Sequence, residues 1–190
     1  HAQPSRATAA LRTPPPSAGS APGGEVPKNV RTAAADGRVG PVRLWLNEGG
    51  KADTLYDADC VAGGIKVQYS LLMRAAQNGH ARIVELLLKR GADINLQNSL
   101  GLTALNAAAY YGSERMVDLL LRHGAEMSPQ DAARPALAAA AQGGKERVVD
   151  LLLRRGAEID LQDKNGGTAL MHAAAHNRPA VVLRLLWAGA

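Results

Sequence analysis

Short apolar runs alternate with polar turns along most of the chain, and their spacing is helical. In residues 116–122 the apolar side chains fall on one side of a helix, while Asp118 and Arg122, four positions apart, fall on the solvent side. The preceding run, residues 104–111, follows Thr103, whose hydroxyl suits an N-cap, and ends at Gly112, where glycine tolerates a left-handed backbone. The pattern predicts two short helices joined by a glycine turn.

The same four-residue spacing joins Glu85 to Lys89 and Asp150 to Arg154. A charged docking face is one interpretation of these pairs. We favour a solvated outer helix, because exposed ion pairs stabilise a helix only slightly. The expectation is therefore a structural role for the three pairs.

Glycines repeat along the chain at a nearly constant interval. The glycines that close the second helices are spaced by 42, 33, 32 and 33 residues, at Gly49, Gly91, Gly124, Gly156 and Gly189. Twelve residues before each stands an earlier mark: Gly37, Gly79, Gly112, Gly144 and, in the fifth place, Asn177. A period near 33 predicts stacked supersecondary units. We divide residues 29–190 into units at 29–58, 65–97, 98–130, 131–162 and 163–190, with an insertion around 51–64.

Several motifs resemble the ankyrin repeat. The family pattern is matched by Gly79-His80, by Ile83-Val84-Glu85-Leu86-Leu87-Leu88 and by Gly91-Ala92-Asp93-Ile94-Asn95. Thr103-Ala104-Leu105 and Thr168-Ala169-Leu170 stand where the family has Thr-Pro-Leu-His. The resemblance implies an all-α solenoid of antiparallel helix pairs with projecting β-hairpin loops. The first unit is expected to act as an N-terminal cap.

The chain departs from the family pattern at the histidine place. Met73, Asn106, Ala138 and Met171 stand there. In the family that histidine supports loops across repeats, so we expect this array to be looser there, or held by packing instead. In the fourth unit Pro135 stands at the threonine place, and the unit is one residue short. Both features predict an irregular hairpin in this unit.

Composition narrows the possible classes of protein. Of 190 residues, 46% are hydrophobic but only 3% aromatic, with no Phe, so the core must be built from Ala and Leu. The single cysteine excludes an internal disulfide framework. The net charge of +5 comes from interspersed basic and acidic residues, which is only weak support for nucleic-acid binding. No apolar run is long enough to form a membrane-spanning helix.

Residues 1–28 differ from the rest and are expected to be disordered. They contain six of the ten prolines, Pro4, Pro14, Pro15, Pro16, Pro22 and Pro27, and almost no large apolar residue. We favour a flexible linker; the end of a transit peptide and a proline-rich docking motif stay open.

Candidate catalytic and metal-binding groups are few. Residues 143–146 resemble a phosphate loop only superficially, since the earlier glycine and the Ser or Thr after Lys145 are missing. His172 and His176 have a zinc-like spacing, but no carboxylate or cysteine of the same unit completes a ligand set. Cys60 has no histidine nearby in sequence to act as a base. We expect no catalysis, no cofactor, no metal and no small-molecule substrate.

The resemblance implies that partners bind the concave face and the hairpin tips. Carried over by repeat position, the candidate partner-binding residues are Lys66, Tyr69, Gln77, Asn78, Leu100, Leu102, Tyr110, Tyr111, Arg134, Gln142, Lys164, Asn165 and His176. Three of the four tyrosines fall in this set, and tyrosine is enriched at binding hot spots. We expect Tyr110 and Tyr111 to form the centre of the partner-binding surface. The alternative is that one of the two rings folds back into the groove between repeats.

In the last helix, Leu183 and Trp187 occupy the outer positions that carry Asp150 and Arg154 one unit earlier. Terminal repeats are usually more polar. We therefore expect this surface to be covered, by further repeats or another domain after residue 190. The alternative is that Trp187 folds along the preceding outer helix as part of an end cap.

The sequence thus predicts a protein–protein interaction scaffold. The alternative is a regulatory or substrate-recruiting domain of a larger enzyme, such as a kinase or ubiquitin ligase, or of a host-directed effector. We expect a monomer in the cytoplasm, bound to another protein and not to nucleic acid or membrane.

Overall fold

A computed structural model describes residues 25–62, 65–128 and 133–190. These residues form five antiparallel helix pairs, which confirms the predicted all-α repeat fold. In chain order the helices are α1 (Lys28–Asp36), α2 (Val39–Asn47), α3 (Leu71–Gln77), α4 (Ala81–Lys89), α5 (Ala104–Tyr111), α6 (Glu114–Arg122), α7 (Ala136–Gly143), α8 (Glu146–Arg154), α9 (Ala169–Ala175) and α10 (Pro179–Trp187). None of the described helices has the length and apolar character needed to span a bilayer.

The turn inside each pair is left-handed, as the glycine period predicts. Gly112 has φ 88°. Asn177, at the fifth mark, has φ 52° and is the one non-glycine residue with positive φ in the described part of the chain. Asparagine tolerates this conformation better than most residues, so it can replace glycine in the last turn.

The first helices of the pairs, α1, α3, α5, α7 and α9, form an inner row packed helix against helix. Alanines make this possible: Ala108, Ala109, Ala140 and Ala141 are fully buried at the contacts of this row. The second helices form an outer row that contacts itself less extensively and carries leucine and longer side chains. The inner row therefore supplies most of the packing between units.

Ion pairs connect the units along the outer row. Asp118 binds Arg122 of its own helix at 2.6 Å, as predicted, and also Arg155 of the next unit. The expected side-chain pair of Asp150 with Arg154 does not form: the Asp150 carboxylate pairs with Arg184 of α10, while Arg154 donates to the Asp150 carbonyl. Arg184 of the fifth unit thus forms the ion pair with Asp150 that the spacing suggests for Arg154.

Arg184 links the fourth and fifth units through two carboxylates. Its guanidinium bonds Asp150 and also lies 3.0 Å from Glu146. These two hydrogen bonds raise the pKa of Arg184 above its ordinary value. Within the described residues Glu85 and Lys89 form no such ion pair.

The insertion forms a two-stranded antiparallel hairpin ahead of α3. Strand β1 (Tyr56–Ala62) pairs with β2 (Ile65–Tyr69), with Tyr56 opposite Tyr69 and a bulge between Asp57 and Val61. The ring of Tyr56 is buried, and burial raises the pKa of its phenol. The insertion therefore lengthens the hairpin of the second unit.

The folded array begins earlier than residue 29. Val26 is buried, Pro27 precedes the first helical turn with an extended backbone, and α1 starts at Lys28. Helix α1 is complete and has three buried residues. The first unit therefore has a full helix pair, although its sequence lacks a recognisable first turn. Residues 1–24, for which we predict disorder, lie outside the described residues. So do residues 129–132, which form most of the fourth hairpin, for which we predict an irregular conformation.

Candidate binding groove

A groove of about 220 Å³ opens along the inner row between α3, α5 and α7. Pockets that enclose a drug-sized ligand usually measure roughly 300–1,000 Å³. This volume suits one or two side chains of a larger partner. The lining residues are Tyr69, Met73, Gln77, Asn98, Leu102, Thr103, Asn106, Ala107, Tyr110, Tyr111, Arg134, Ala139 and Gln142.

The aromatic rim of the groove is exposed. Tyr110 and Tyr111 are 39% and 52% exposed, and their rings meet edge-to-face with centroids 5.2 Å apart. Neither ring folds back between the repeats. Across the groove, the Arg74 guanidinium lies 4.5 Å from the ring centre of Tyr69. The rim therefore offers large amphipathic surfaces already held in place.

The floor is fixed by Thr103 and Asn106 at the start of α5. The Thr103 backbone N–H donates to Asn106 Oδ1 at 2.8 Å, and the Asn106 backbone N–H donates to Thr103 Oγ1 at 3.3 Å, forming a reciprocal capping box. Asn106 Nδ2 also donates to the Arg134 carbonyl of the next unit at 3.0 Å. The expectation of looser packing at the histidine place is wrong here, because asparagine makes the cross-repeat hydrogen bond.

In the second and fourth units, a buried side chain fills the histidine place, whereas in the fifth it does not. Met73 and Ala138 are buried at 2% and 1% exposure, while Met171 is 57% exposed. The adjacent His172 instead bonds the hairpin of its own unit, with Nε2 2.7 Å from Asp163 Oδ2. The last unit therefore anchors its loop from a neighbouring position.

Asp163 is the anchor of the fifth hairpin. Its side chain is 1% exposed, and its Oδ1 accepts hydrogen bonds from the Asn165 and Gly167 backbone N–H groups, each at 2.9 Å. Burial favours the protonated form, but the hydrogen bonds from Gly167, His172 and Asn165 outweigh it and lower the pKa of Asp163. Asn98 holds the third hairpin in the same way, accepting from the Leu100 and Leu102 N–H groups.

A polar chain runs from this anchor into the groove. Arg134 Nε lies 4.0 Å from Asp163 Oδ2, and a terminal guanidinium nitrogen donates to Gln142 Oε1. Gln142 Nε2 lies 3.0 Å from His176 Nε2. Buried Arg134 Nε makes no hydrogen bond to the described residues. These contacts fix the positions of Arg134 and Gln142 at the end of the groove.

Seven of the predicted residues line one groove: Tyr69, Gln77, Leu102, Tyr110, Tyr111, Arg134 and Gln142. His176 joins through Gln142. Asn78 instead donates to the Ala35 carbonyl between the first two units, and Leu100, Lys164 and Asn165 lie on the hairpin tips beyond the lining. The side chain of Lys66 lies outside the described residues.

Sequence reasoning missed the groove floor: Met73, Asn98, Thr103, Asn106, Ala107 and Ala139. Four of these, Met73, Asn106, Ala107 and Ala139, lie about one turn before predicted residues of the same inner helices. Asn98 and Thr103 precede α5, in the hairpin and at its N-cap. The described residues contain no group of three or more His, Cys, Asp or Glu arranged to hold a metal ion. Sequence reasoning also missed that a carboxylate of the fifth unit accompanies the two histidines, because Asp163 bonds His172. His176 contacts Gln142 instead.

A family model described as ankyrin repeats (3 copies) matches residues 32–131 and 128–190. The two matches together span well over half of the chain. No individually curated protein matches it.

Proposed function

The chain belongs to the ankyrin repeat family, and from that premise we propose that it binds another protein through the groove between α3, α5 and α7. Ankyrin repeats are generally protein-interaction modules, and their domains are typically non-catalytic. The finer proposal is that this chain has no chemistry of its own and acts as a monomeric, cytoplasmic scaffold.

The exposed tyrosine pair carries the proposal. Tyr110 and Tyr111 stand at the rim of a cavity sized for a side chain, and tyrosine contributes large contact area at small entropic cost. Their positions follow from α5, whose opposite face is buried against α3 and α7. Little ordering is therefore required when a partner binds.

The groove also suggests the chemistry of the partner segment. The described lining contains one cation, Arg134, and no carboxylate, while leucine, methionine, alanine and tyrosine supply its apolar surface. Arg134, Gln77 and Gln142 are able to donate hydrogen bonds into it. We expect a partner side chain that is apolar or aromatic, next to a carbonyl or carboxylate acceptor.

The test compares the wild-type chain with Tyr110→Ala/Tyr111→Ala by proximity labelling and pull-down, followed by affinity measurement on each captured partner. Loss of two hot-spot tyrosines should weaken binding by at least roughly 30-fold. The matched control is Leu44→Ala, which removes a 59% exposed side chain from outer helix α2. An identical partner list and unchanged affinity for the double variant would remove the groove from consideration.

A further inference from the structure

The last helix pair exposes positions that the fourth unit buries against its successor. Ala138 and Ala141 of α7 are 1% and 0% exposed because α9 covers them. The residues at the same repeat positions in α9 are Met171, which is 57% exposed, and Ala174, which is also exposed. The inner side of the fifth unit therefore presents an unfilled copy of the contact between units.

The outer helix of the last pair shows the same pattern. Leu183 and Leu186 of α10 are 51% and 49% exposed, and Trp187 is 82% exposed at their edge. The position of Leu186 is held by Leu153 one unit earlier, where it is only partly exposed. We define the end face as Met171, Ala174, Leu183 and Leu186, with Trp187 at its rim.

The charges on the end face differ from those on the preceding contact. In α8, Glu146 and Asp150 reach forward to Arg184 of the next unit. Pro179 and Leu183 occupy those two positions in α10. A cation packed against Pro179 and Leu183 would lose its hydration without forming an ion pair with a carboxylate. This unpaired desolvation is energetically costly.

We propose that the end face binds a further helix pair of the same repeat type, whose outer helix is apolar where α10 carries Arg184. Two observations identify this occupant: the end face continues the established contact between units, and its forward carboxylates are replaced by apolar residues. This surface is separate from the groove, so the proposal is independent of the proposed function.

The test appends a copy of residues 158–190 directly after Ala190 of the full chain, in repeat register. One version retains arginine at the copied position 184, and the other carries leucine there. Peroxide oxidation of Met171, followed by peptide mass spectrometry, reports coverage of the end face. Met73 and Met116 are buried at 2% and 1% exposure and serve as internal references.

The expected result is that Met171 oxidation slows roughly tenfold in the leucine version, as its exposure falls to that of a buried methionine. The leucine version should also raise Tm by roughly 5 °C or more, and the arginine version by less. Unchanged Met171 oxidation in both versions would overturn the proposal. Equal gains in Tm would overturn its apolar specificity.

A second copy of the chain is the competing occupant. Sedimentation equilibrium of the unextended protein distinguishes it, with Leu186→Asp as the variant and Leu44→Asp as the matched exposed control. A monomer at all concentrations supports the proposal. A dimer lost only in Leu186→Asp would assign the end face to self-association and overturn it.

Discussion

Gly143→Ala tests the close spacing of the inner row. Gly143 lies in the last turn of α7, where that helix passes the end of α5. A Cβ at this position would lie 2.2 Å from the Tyr110 carbonyl oxygen and 3.0 Å from its carbonyl carbon. Ordinary van der Waals contact begins near 3.4 Å. The two helices must therefore separate by about 1 Å to admit one methyl group.

Two opposing effects set the size of the change. Replacing glycine by alanine inside a helix normally stabilises it by about 0.5–1 kcal/mol. Overpacking a well-filled contact costs about 1–3 kcal/mol, and here the obstacle is backbone, which cannot rotate away. We expect Gly143→Ala to lower the free energy of unfolding by about 1–2 kcal/mol, the opposite sign to the intrinsic preference.

The matched control is Gly40→Ala in α2, where an added Cβ meets nothing within 4 Å. Because Pro41 follows and restricts the preceding residue, its gain should be small, between zero and about 0.5 kcal/mol. Urea unfolding followed by far-UV circular dichroism measures both variants against the wild type. A Gly143→Ala protein as stable as the wild type, or more so, would refute the described packing of α5 against α7.

Three further changes test the hydrogen bonds and surfaces described above. Asn106→Leu removes the capping box and the bond to the Arg134 carbonyl, so chemical unfolding should show a loss of about 2–4 kcal/mol. Asp163→Asn should flatten the acid dependence of stability: the lowered pKa of Asp163 stabilises the fold above its ordinary value of 3.8, and this is lost as pH falls through the folded-state value. Thermal melts from pH 7 down to pH 2 measure this, and an equally steep wild type and variant would contradict it. Leu183→Ser/Trp187→Ser should raise solubility in a precipitation assay, whereas unchanged aggregation would count against an uncovered apolar surface.

The sequence was sufficient to place the helices, because each boundary depends on a local backbone requirement. A left-handed turn favours glycine, so the paired marks from Gly37 to Gly189 locate the C-terminal ends of the two helices in each unit. Asn177 fits the same rule. The start of α1 was harder to find, because burial of Val26 depends on contacts with the rest of the fold and leaves no local pattern.

Contacts between units were less predictable than the units themselves. The spacing of Asp150 and Arg154 suggests a local ion pair, but Arg184 approaches from the next helix and binds the carboxylate. Asn106 likewise bonds across units at a place where the repeat pattern suggests a missing histidine. Both contacts join residues of different units, 28 and 34 positions apart, and their distances are not encoded by the period.

The candidate groove was predictable in part. Repeat position brings Tyr69, Tyr110 and Gln142 to one face, because the same place in each unit faces the same side of the stack. The Asp163 anchor was missed, although Asn98 and Asp163 each precede a turn glycine by three positions. That Asx-turn signal was present in the sequence and would have identified both anchors.

The most direct measurement of the binding surface is site-specific photocrosslinking in the intact protein. A photoreactive amino acid replaces Tyr111 in the groove or, for comparison, Arg122 on outer helix α6, whose side chain is 73% exposed. We expect covalent adducts with partner proteins from position 111 and none from position 122. Adducts from position 122 alone would contradict this expectation and place recognition on the outer row of helices.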